Sequence, residues 1–91
     1  KTAAASVSDF TVPYSYVDLN GHMNNARYYE LAMDRMPEAF RVRSLRELTS
    51  EHIGEAQLGD VLAVGCSSSE DSFSIYGEKD KPVFRMRFQF E

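Results

Sequence analysis

The sequence predicts an α+β domain: one long central helix packed on a mainly antiparallel sheet of five strands, in the order β-α-β-β-β-β. Three observations predict it. A segment around residue 30 carries apolar residues at helical spacing and is apolar almost all round. Other segments alternate apolar and polar residues at the period of a half-buried strand. Four of these strand segments follow the helix consecutively, and strands joined by short turns pair antiparallel.

The first strand is read from Phe10, Val12, Tyr14 and Tyr16, which alternate with Thr11, Pro13 and Ser15. Pro13 has no N–H for a sheet ladder, so this strand belongs at an edge or carries a bulge. Asp18–Asn25 (DLNGHMNN) is rich in turn residues and ends it. Asn24 or Asn25 can cap the helix that follows, because an Asn side chain accepts a bond from a free first-turn N–H. The helix is expected over Ala26–Met36, with Tyr28, Leu31, Ala32 and Arg35 on one face and Tyr29 and Met33 close beside it. So apolar a helix is expected to be mostly buried, and Pro37 ends it. A short turn follows at Glu38–Arg43. Further strands are expected at Leu45–Ile53, Asp60–Ser67, Phe73–Gly77 and Val83–Phe90, with Gly77–Lys81 (GEKDK) turning between the last two.

A chain of 91 residues holds one small domain, 1–91, without repeats or an internal linker. Domains this small bury a modest share of their surface, so a partner subunit or partner domain would help. Residue 1 is Lys, and Lys1–Ser8 lacks the apolar core of a signal peptide, so a piece of a longer chain is expected. No apolar run approaches the roughly 20 residues that span a bilayer. The single cysteine excludes an internal disulfide and a multi-cysteine zinc site, and fits a reducing cytoplasm. Cys66 itself reads as a buried core thiol. His52 reads as a core-edge or solvent-facing residue, and two distant histidines make no metal site without more ligands. The net charge of −4 argues against non-specific nucleic-acid binding. Arg27, Arg35, Arg41, Arg43 and Arg46 nevertheless cluster, among Glu30, Asp34, Glu38 and Glu47. They read either as a solvated surface of mixed sign or as a docking patch for an acidic partner.

The run Asp18-x-Asn20-x-His22-x-Asn24-Asn25 sets polar and titratable groups at a helix N-terminus. Free N–H groups and the positive end of the helix dipole favour negative charge there, including an oxyanion formed at a carbonyl carbon. Were the stretch extended, Asp18, Asn20 and His22 would share one side. The same residues also make an ordinary turn.

The segment V-D-L-N-G-H-M-N-N-A-R-Y-Y-E-L resembles the signature of acyl-acyl-carrier-protein (acyl-ACP) thioesterases, in their C-terminal, catalytic half and most like the bacterial members. Ser15, Asp18, Asn20, His22, Asn24, Asn25 and Tyr28 stand at the matching places, and L-T-S-E-H-I-G-E-A-Q-L-G-D-V-L extends the likeness. The resemblance implies a hotdog fold, a helix wrapped by an antiparallel sheet, and one half of a double-hotdog chain. It implies hydrolysis of fatty acyl-ACP to free fatty acid, as in fatty acid biosynthesis, with no metal or organic cofactor. The implied partners are acyl carrier protein bearing a fatty acyl chain and a second hotdog half or a homodimer.

Carried over by position, the catalytic residues fall on Asp18, Asn20, His22 and Glu55. Asn20 would meet the substrate carbonyl, and His22 would orient water or shuttle a proton. Glu55 would act as general base or nucleophile, and Asp18 would hold Asn20 or His22 in place. Asn24, Asn25, Tyr28, Tyr29 and Met33 are the implied substrate-binding set, the last three as lining of an acyl tunnel; helical spacing alone makes them core. Glu55, without the resemblance, reads as a solvated turn residue. Ala56 stands where plant members carry a cysteine, so a thiolate mechanism there is impossible in this chain. Tyr16 and Leu31 also depart from the family pattern. Asp18, Gly21, His22, Ala26 and Tyr28 equally fit single-hotdog acyl-CoA thioesterases, in which Asp18 would be the catalytic carboxylate. A non-catalytic acyl-binding or dimerisation domain is the reading from another class.

Overall fold

Strands β1 (Ser6–Thr11), β2 (Leu45–His52), β3 (Val61–Ser68), β4 (Ser72–Glu78) and β5 (Pro82–Phe90) form one sheet in the order β1-β3-β4-β5-β2. Every neighbouring pair is antiparallel. Helices α1 (Asn25–Arg35) and α2 (Glu38–Arg41) connect β1 to β2. This is a computed structural model, and it describes residues 6–91; Lys1–Ala5, and with them most of the Lys1–Ser8 stretch, lie outside the described residues.

The core lies between α1 and one sheet face. Alternation along β5 sends Phe84, Met86, Phe88 and Phe90 inward and Arg85 and Arg87 outward. Leu62 and Val64 on β3 and Phe73 and Ile75 on β4 join them, and Tyr28, Leu31, Ala32 and Met36 close the core from the helix side. Each such large apolar side chain, fully buried, contributes about 1.5–3 kcal/mol. Gly77 is a glycine because the Phe84 ring lies against it, and a Cβ there would collide with that ring.

Several boundaries differ from expectation. The first strand ends at Thr11, not beyond Tyr16, because Pro13 cannot extend the ladder and instead accepts the Tyr16 N–H at 3.0 Å, opening a 3-10 turn over Tyr14–Tyr16. The edge position expected for this strand is correct. Helix α1 begins one residue early, at Asn25, capped by Asn24. It is only half-sunk in the core: Tyr29 and Met33 are exposed, because 3.6-residue periodicity turns them away from the face that carries Tyr28, Leu31 and Ala32. Gly77 and Glu78 belong to β4, so the turn is shorter than the GEKDK run. Cys66 is half-buried rather than buried, on the core face of β3. Burial pushes its thiol pKa up, and the charge of Arg35 opposes the rise. Among the described residues no helix is long and apolar enough to cross a membrane.

Candidate active site

The Val17–Met23 segment is a turn, not an extended strand. Asp18 Oδ1 accepts the backbone N–H of Asn20 at 2.9 Å and of His22 at 3.2 Å. The Asp18 N–H donates to the His22 carbonyl and the Gly21 N–H to the Asp18 carbonyl, while Val17 and Met23 bridge at the base. Gly21 has φ +78°, a left-handed conformation that costs a glycine almost nothing. Asp18 thus holds the backbones of Asn20 and His22 within the turn. The shared side that an extended stretch would give Asp18, Asn20 and His22 does not arise, because the segment is the turn its composition predicts.

A second segment is strapped to this turn. The Met23 N–H donates to the Ala56 carbonyl at 2.7 Å, the Leu58 N–H to the Gly21 carbonyl at 3.0 Å, and His22 bridges Gln57. The N–H groups of Ile53 and Gly54 both donate to the Val83 carbonyl, anchoring the same segment to β5. These straps set His22 beside Glu55: Nε2 and Oε1 are 3.5 Å apart, with 36% and 70% of the two side chains exposed. Ala56, next in the chain, is buried, so a side chain at this position faces the core and not the pair.

The pair opens onto a cleft of about 320 Å³ whose walls include Asp18, His22, Asn24, Asn25, Tyr28 and Glu55. Asn24 Oδ1 accepts the Ala26 N–H at 2.9 Å, so this oxygen is committed to capping the helix. Asn25 is the first residue of α1, and its place in the wall sets the positive end of the helix on the cleft. Tyr28 packs its ring 4.6 Å from Phe84 and 5.3 Å from His52. Burial raises the pKa of its hydroxyl; a hydrogen bond from the Ala56 backbone opposes the rise and the nearby Glu55 charge adds to it. Tyr28 therefore stays a neutral phenol at the cleft wall. His52 is exposed and touches the core through Tyr28, within the core-edge or solvent-facing reading.

The structure thus brings together Asp18, His22, Glu55, Asn24, Asn25 and Tyr28, which lie 37 positions apart at most in the chain (55 − 18). It does not bring in Asn20, at the exposed tip of the turn, or Tyr29 and Met33, one helical turn apart on the outer face of α1. Residue spacing assigns nothing to Gln57 and Asp60, which organise the Glu55 segment. An acid after a glycine just before a strand signals a turn and no more. Four of the five clustered arginines are engaged by the chain itself: Arg27 by Glu30, Arg35 by Ser8, Arg41 by the Met33 carbonyl and Arg43 by Asp71. This favours the mixed-charge surface over an open docking patch.

A carboxylate and an imidazole facing each other at a helix N-terminus can activate water and receive the charge that builds on a carbonyl oxygen. The family model described as the acyl-ACP thioesterase C-terminal domain matches residues 1–87. An acyl-ACP thioesterase from Bacteroides thetaiotaomicron is 31% identical and superposes with a TM-score of 0.81; the match covers 92% of this chain and 36% of that one. A Staphylococcus aureus protein in complex with CoA is 17% identical, with a TM-score of 0.78 over 97% of this chain and 75% of that one. A hypothetical thioesterase with coenzyme A from Streptococcus pneumoniae is 11% identical, with a TM-score of 0.72 over 97% of this chain and 80% of that one. No curated protein sequence matches.

Proposed function

The chain belongs to the acyl-ACP thioesterase C-terminal domain family, with its hotdog fold, and from that premise we propose that it hydrolyses the thioester of fatty acyl-ACP to free fatty acid. The observation that carries the reading is the facing of His22 and Glu55, 3.5 Å apart, at the N-terminus of α1. In this reading Glu55 takes a proton from water as the oxygen attacks the carbonyl carbon. His22 orients the water, and the N-terminal turn of α1 receives the oxyanion. The C–S bond then breaks, and the thiolate leaves with the proton held by Glu55. Asp18 accepts two backbone N–H groups, which suits a turn-holding role better than that of the attacking base.

The acyl chain is proposed to leave the cleft past Tyr28 and lie against Tyr29 and Met33, apolar and exposed on the next face of α1. A second hotdog half, or a second copy of the chain, would cover it. Strand β2 is the edge proposed to meet that partner. It carries exposed Leu45, is followed by exposed Ile53, and leads directly into the Glu55 segment. The single cysteine fits a reducing, cytoplasmic setting. Two structures of the same fold hold CoA, so acyl-CoA is the second carrier to consider.

The test is thiol release from acyl-ACP and from the matching acyl-CoA, by the chain with its partner half and by Glu55→Ala. We expect turnover of acyl-ACP in preference to acyl-CoA, lowered by about 10²–10⁴-fold in Glu55→Ala. Faster turnover of acyl-CoA would move the carrier assignment, and wild-type rates in Glu55→Ala would remove the carboxylate mechanism.

A further inference from the structure

Asp60 lies at the end of the loop that carries Glu55, and four bonds converge on it. Its Oδ2 accepts the Gln57 N–H at 2.8 Å and the Lys79 ammonium at 2.7 Å. Its own N–H donates to the Gln57 carbonyl at 2.9 Å, and its carbonyl accepts the Val12 N–H at 2.9 Å. Val12 in turn accepts the Gly59 N–H at 3.0 Å. The loop from Gln57 to Asp60 is therefore a closed ring, latched on one side to the chain that leads into the Asp18 turn and on the other to the β4–β5 turn.

Gln57 is the link to the chemistry. It bridges His22, and Ala56 beside it accepts the Met23 N–H at 2.7 Å. Glu55 precedes Ala56, and His22 precedes Met23. A shift of the 57–60 ring is therefore transmitted through these bonds to the Glu55 and His22 pair. Lys79 also lines a second cavity of about 280 Å³ together with Gly54 and Glu55, so the latch borders the Glu55 segment. With 24% of its side chain exposed, Asp60 is better shielded than the carboxylates of the other ion pairs among the described residues, where screening by water is stronger.

We propose that Asp60, latched by Lys79, is a positioning residue that holds Glu55 at working distance from His22. Its chemistry rests on the thioesterase reading above; its geometry does not. A misplacement of about 1 Å at a reacting centre costs on the order of 10²-fold in rate. The experiment compares wild type, Asp60→Ala, Asp60→Asn and Lys79→Met, each as the full chain with its partner half. It measures kcat, KM, melting temperature and amide exchange at Gln57 and Met23.

Asp60→Ala is expected to lower kcat about 10–100-fold with KM changed less than about threefold. Exchange at Gln57 and Met23 should rise beyond any change in global stability. Asp60→Asn keeps an acceptor for the Gln57 N–H and should recover most of the rate; Lys79→Met should fall between them. Wild-type kcat in Asp60→Ala, or a loss that merely tracks the folded fraction with exchange at Gln57 unchanged, would overturn the proposal. If wild type hydrolyses no thioester, the functional reading fails by itself. The exchange arm then still decides the latch, since protection lost in Asp60→Ala and Lys79→Met supports it and unchanged protection overturns it.

Discussion

Two ion pairs sit at opposite ends of the β2–β5 ladder and are built in opposite ways. At one end Arg43 reaches Asp71 at 2.6 Å and also donates to the carbonyls of Glu70 and Glu91. Its guanidinium lies over the rings of Phe40 and Phe90, 5.7 and 5.9 Å from their centres. At the other end His22 and Glu55 stand 3.5 Å apart, more exposed and joined by nothing tighter. The first arrangement satisfies four of the five guanidinium N–H donors and ties Glu91 to the β3–β4 turn. The second leaves a carboxylate and an imidazole room to admit a third group. A cation wrapped in carbonyls and rings serves stability, whereas the loose pair over a helix N-terminus is the one proposed for chemistry.

The contrast can be broken one end at a time. His22→Ala is expected to lower kcat by about 10²–10⁴-fold while the melting temperature stays within a degree or two, as read by thiol release and thermal unfolding. The largest stability change belongs to the other end. Arg43→Ala should cost about 2 kcal/mol, near 10 °C in melting temperature for a domain of this size, with the rate per folded molecule kept. A rate loss in Arg43→Ala beyond its folded fraction would join two ends that the geometry separates.

Gly21→Ala falls between the two. A Cβ there meets nothing within 4 Å, so the expected cost of about 1–2 kcal/mol comes from the backbone conformation alone. Because Gly21 carries the turn that presents His22, kcat should fall as well. The smallest effect is one of pH. The Lys79 ammonium, with the Gln57 N–H, holds the Asp60 carboxyl below its ordinary pKa. The stabilisation is therefore complete above about pH 4, the unfolded value, and is lost as pH falls through the folded value. Lys79→Met should narrow the stability gap between neutral and acid pH, a difference that denaturant titrations at the two pH values would register.

Much of this was legible before folding. Phe84, Met86, Phe88 and Phe90 alternate so regularly that β5 could hardly be missed, and Asn24 with Pro37 brackets α1 from both sides. Tyr29 and Met33 show the limit of such reading: helical spacing reveals an apolar segment but not how wide a face the sheet covers. The Tyr14–Tyr16 turn shows another, since alternation continued past the point where Pro13 had already removed the ladder bond.

Local chemistry thus settled the element types and the Asp18–Asn25 turn, because caps, turns and periodicity act over a few neighbours. Tertiary structure decided which polar groups meet. Glu55 approaches His22 through backbone bonds such as that of Met23 to Ala56, across 33 positions (56 − 23), and Asp60 meets Lys79 where β3 and β4 pair. Asn20, two residues from both Asp18 and His22, is left at the turn tip by the same folding. Proximity along a chain is set by covalent bonds, whereas proximity in a cleft is set by which buried faces had to be closed.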